Sequence, residues 1–86
     1  MLKIFTLQDA EYLRLEGLFF RRWDVNVEFV LVAKSEEEAR QFAAAAASDE
    51  GPEVWLDRSR SIATLVGIAI PRFVKPGVVM NNFRAG

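Results

Sequence analysis

Neither cysteine nor histidine occurs in the 86 residues. Without cysteine there can be no disulfide, no thiolate nucleophile and no Cys-type zinc site. Without histidine the commonest general base, the commonest transition-metal ligand and the usual activator of a nucleophile are also missing. Their joint absence points away from catalysis, although Asp, Glu, Ser and Lys remain. There is no Gly-rich phosphate loop and no recognisable nucleophile setting, so no enzyme activity, no cofactor and no metal site are expected. No apolar run approaches the ~20 residues of a membrane span, and no basic, apolar, small-residue signal pattern opens the chain. A cytoplasmic protein with no membrane partner is expected. The length suits one small domain, a size that buries roughly 60 to 65% of its surface with a net stability of about 5 kcal/mol.

Acid is absent from the last third. All twelve acidic residues stand in residues 1 to 57 beside six bases, a net of −6, whereas residues 58 to 86 hold Arg58, Arg60, Arg72, Lys75 and Arg84, a net of +5. One reading is a pair of solvated faces whose opposite signs meet across the fold. The other is a basic edge that meets an acidic partner or a phosphate backbone. A nucleic-acid-binding module would use these five bases on phosphates. Against it stand an acidic isoelectric point and the lack of an aromatic ladder on a basic face, so nucleic acid is the alternative partner only.

The chain is organised around residues 25 to 57, where the hydrophobic period changes from two to about 3.6 at Ser35. VNVEFVLVA reads as a strand with Val25, Val27, Phe29, Leu31 and Ala33 on one face and Asn26 and Glu28 beginning the other. Val30 and Val32 make that second face apolar as well. Such a strand is central, or is covered on its far side by residues 9 to 24 or by a dimer partner. Ser35 and Glu38 form a capping box: the serine oxygen takes the Glu38 N–H and the carboxylate returns to the Ser35 N–H. Ala39, Phe42, Ala43 and Ala46 fall on one helical face that should meet the sheet. The glutamates 36 to 38 read as capping and solvation rather than as acid chemistry. Gly51, free to take a positive φ, and Pro52 end the helix. The acids at 49, 50, 53 and 57 match no calcium loop and read as an acidic turn.

Strands are also expected over residues 1 to 8, 54 to 57, 61 to 69 and 78 to 83, with Pro71, Pro76 and Gly77 breaking the chain into a loop. Residues 9 to 24 admit two readings. Asp9 caps a short helix with Tyr12, Leu15 and Phe19 on one face, or the alternation at Leu13 and Leu15 runs into a hairpin turning at Gly17. Either way, apolar and aromatic side chains crowd beside Arg14, Arg21 and Arg22. They close the second side of a small core, or they form an apolar patch with an arginine rim, the composition of protein interfaces. In the second case Phe19, Phe20, Arg21, Arg22 and Trp23 are the partner-binding residues.

The pieces VAKSEEEAR, DEGPEVWLD and the C-terminal GVVMNNFRAG together resemble a family of short uncharacterised proteins of bacterial and phage or prophage genomes. The resemblance covers roughly residues 25 to 60 and 77 to 86. It implies a context rather than a chemistry: small proteins of mobile elements that occlude a host protein, anti-CRISPR proteins among them. The expected fold is α+β, a mostly antiparallel sheet of four or five strands with one helix packed on one face. The expected function is non-enzymatic engagement of a host protein or protein complex in a defence or regulatory machine, with a homodimer as the further expectation.

Overall fold

The computed structural model describes residues 1–15, 24–70 and 72–84, the side chains of residues 14, 15 and 84 excepted. In chain order these residues form β1 (Lys3–Asp9), α1 (Ala10–Leu15), β2 (Val25–Ala33), α2 (Glu36–Ala45), α3 (Glu53–Leu56), β3 (Ser61–Ile68) and β4 (Gly77–Arg84). The four strands make one sheet in the order β3-β1-β2-β4, and each neighbouring pair is antiparallel. The fold is α+β, as expected.

Period-two alternation on the central strands decides which side carries the helices. Phe5 stands opposite Leu31 and Leu7 opposite Phe29, so four large apolar side chains share one face. That face meets Ala39 and Ala43 of α2 and Val54 and Trp55 of α3, forming the main core. Trp55 meets Phe29 edge to face, with ring centroids 4.9 Å apart and planes at 87°, the arrangement favoured by the opposite charge of ring edges and faces. The alternate residues, including Ile4, Thr6, Val30 and Val32, face the other way. There Leu2, Val32 and Ala69 form a second, smaller cluster with Ile4 and Val74 against it. β3 and β4 are opposite edges of the sheet, so the chain between them crosses one end of this second face and covers it. Ala69 and Val74 therefore supply, at that end, some of the extra layer expected on β2. Residues 16–23 lie outside the described residues.

The helical reading of the segment after Asp9 is the observed one as far as Leu15. The Asp9 carboxylate accepts the Glu11 N–H at 2.9 Å and the Tyr12 N–H at 3.2 Å, capping α1. At α2 the Ser35 hydroxyl accepts the Glu38 N–H at 3.2 Å as expected, but the Glu38 carboxylate returns to the Lys34 N–H, at 3.0 Å, rather than to Ser35. Ala39 and Ala43 are fully buried and Phe42 partly so, while Ala46, expected to face the sheet, is exposed at the helix end. Gly51 takes a φ of +83°, as its place after the helix suggests.

Two expectations are corrected. Residues 54 to 57 do not make a strand: Glu53–Leu56 is one helical turn, in which the Pro52 carbonyl accepts the Trp55 and Leu56 N–H groups at 3.1 and 3.2 Å. Adjacent side chains of a strand point to opposite faces, yet Val54 and Trp55 are both buried in the same core, which a helical turn permits. Packing overrides the β-propensity of Val and Trp over so short a run. Asn26, expected opposite Val27 and Phe29, is instead buried on the helix side. The β2–β4 register skips Val27, a bulge that puts one extra residue in β2 and turns Asn26 inward.

Asn26 turns toward a buried carboxylate. Glu50 accepts the Asn26 backbone N–H at 3.0 Å and the Ser48 N–H at 3.1 Å on one oxygen. On the other it accepts Asn26 Nδ2 at 3.2 Å and Trp55 Nε1 at 2.8 Å. Asn26 Oδ1 in turn accepts Asn81 Nδ2 of β4 at 2.6 Å. The α2–α3 turn is thus joined through one side chain to β2, β4 and the core tryptophan. Glu50→Ala would leave these donors unpaired and is expected to cost about 3 kcal/mol, with Glu50→Gln, which keeps one acceptor oxygen, costing less. Urea unfolding curves check this; a loss no larger than that of Glu37→Ala, an exposed neighbour, would contradict it.

Candidate functional site

The residues expected to bind a partner, Phe19, Phe20, Arg21, Arg22 and Trp23, lie outside the described residues. The five bases expected to meet phosphate are spread out. Arg58 and Arg60 precede β3; Arg72 and Lys75 lie on the connection beyond its other end, and Arg84 closes β4 on the opposite edge. Eight residues of strand separate the first pair from the second, roughly 25 Å at the usual rise. Arg58 is also engaged, 3.4 Å from Glu37 and 3.8 Å from Glu36 at the start of α2. Here the basic and acidic parts of the chain do pair across the fold.

The acids of the α2–α3 turn act separately. Asp49 accepts the Asp24 N–H at 3.0 Å, Glu50 is occupied by its four N–H donors, and Asp57 accepts the Ser59 hydroxyl at 2.6 Å and its N–H at 2.8 Å. Among the described residues no group of three or more His, Cys, Asp or Glu is placed to hold a metal ion. The Ser59 hydroxyl, then its backbone N–H, hold the Asp57 carboxyl below the usual aspartate value.

A second buried polar group secures the start of β3. Arg40, on the sheet-facing side of α2, donates from Nη1 to the Trp55 carbonyl at 2.9 Å and to the Ser61 hydroxyl at 2.7 Å. It also donates from Nη2 to the Ser61 carbonyl at 3.2 Å and from Nε to Glu36 at 2.9 Å. A buried guanidinium is tolerated only when its donors are matched in this way. Its place between Ala39 and Ala43, in a stripe otherwise of small apolar residues, is the sequence signal that marks it.

From this anchored start, β3 runs outward along the sheet edge with its apolar side chains in the open. Leu65 is 57% exposed, Val66 56% and Ile68 63%, and Phe73 on the connection to β4 reaches 76%. β4, the other edge, exposes Val79, Met80 and Phe83. SIATLVGI contains no charged residue at all. Edge strands of soluble proteins ordinarily carry Lys, Pro or inward charges that discourage pairing. On β3 the one such device is a bulge at Val66, which the β1–β3 register skips between Gly67 and Leu65, and β4 has a bulge at Val79, skipped between Met80 and Val78. The signal was present in the sequence as a run apolar at odd and even positions alike, a pattern that equally fits a fully buried strand.

No helix among the described residues is long and apolar enough to cross a membrane. No family model, curated protein or solved structure matches the chain.

Because its folded-state value is lowered, Asp57 adds stability that is present at neutral pH and fades as pH falls through that value. Ser59→Ala is expected to move the Asp57 titration upward toward the usual aspartate range. Carboxyl-carbon NMR across the acid range reads this directly, and an unmoved titration would show that the Ser59 hydroxyl is not the cause.

Proposed function

We propose that this protein is a non-enzymatic binding domain that engages a protein partner through the apolar edge of its sheet. The observation that carries the reading is β3 itself, a charge-free edge strand whose Ile62, Leu65, Val66 and Ile68 are exposed. Covering apolar surface of this kind is favourable by about 25 cal/mol per Å². Ile62, opposite Gln8, and Leu65, opposite Phe5, leave apolar surface on both faces of this edge, and such exposure is characteristic of interaction surfaces. The resemblance to short phage and prophage proteins extends the proposal to a protein of a mobile element that occludes a host defence or regulatory complex. A nucleic-acid-binding role has less support, since Arg58 is paired with glutamates and the remaining bases lie at separate places around the sheet.

Capture of the tagged protein from bacterial lysate, with the contacts mapped by cross-linking, tests the reading. A single stoichiometric protein partner is expected, lost on Leu65→Asp in β3 or on Met80→Asp in β4. Both positions are exposed, so the thermal midpoint should stay close to that of the parent, within about 0.5 kcal/mol of stability. Gln41→Ala, exposed on α2 and outside both edge strands, should retain the partner. A captured protein whose binding is indifferent to both edge variants would overturn the proposal.

A further inference from the structure

We draw no further inference here: the strongest candidate, the charge-free outer edge of β3 with Leu65, Val66 and Ile68 exposed, belongs to the surface already described, and nothing in the structure shows what covers it, since Glu36, Glu37 and Asp57 stand with Arg58 and Arg60 at its start and leave no charge there to select a partner.

Discussion

The Glu50 carboxylate is where the two layers of this small fold are joined. Four N–H groups converge on its two oxygens, from Asn26 twice, from Ser48 and from the Trp55 indole. A buried carboxylate is costly without such donors, and the donors are costly without it. Each therefore depends on the others being in place. Trp55 can lie across Phe29 only while the one-turn helix α3 holds it there, and the Glu50 oxygen fixes the end of its ring. The bulge at Val27 belongs to the same arrangement, because it turns Asn26 toward Glu50 on one side and Asn81 on the other.

Arg40 performs a similar service at the other side of the helix layer. It ties α2 to the carbonyl of Trp55 and to the hydroxyl and carbonyl of Ser61, the residue from which β3 departs. The two buried polar groups thus anchor the helices and the first residue of the edge strand as one body. Beyond Ser61 the one strand neighbour of β3 among the described residues is β1. In the proposed binding role, an edge anchored at its root need not be ordered at the moment a partner arrives. Leu65, Val66 and Ile68, exposed along this edge, lie outside the main core.

Much of the fold was legible because its signals are local. Ser35 and Glu38 mark a helix start through atoms only three residues apart, and Gly51 announces a backbone turn that other residues resist. The alternation in β2 announces a strand with an apolar face. Where a second segment decides the outcome, the reading failed or stayed open. EVWL carries the composition of a strand and forms a helical turn because Phe29 and Glu50 both require Trp55. Asn26 reads as solvent-facing until the carboxylate 24 residues later is placed beside it. The Glu38 carboxylate misses its expected donor by one residue, choosing Lys34, a difference that composition does not encode.

By itself the sequence determined the exclusion of disulfides and of cysteine and histidine chemistry, the order of most elements and the uneven distribution of charge. Each of these is a property of residue types or of neighbours a few positions apart. It also showed that SIATLVGI is apolar at odd and even positions, which is equally true of a strand buried on both faces. Only the tertiary structure decided that this strand is an edge. Strand order is set by pairing between distant segments, and the order β3-β1-β2-β4 puts the most uniformly apolar strand outermost rather than in the middle. Likewise, the bases of the last third succeed one another in sequence, yet strand β3 carries them to opposite ends of the same edge. A strand about eight residues long keeps its flanking residues apart by its own length, however close together they stand in the chain.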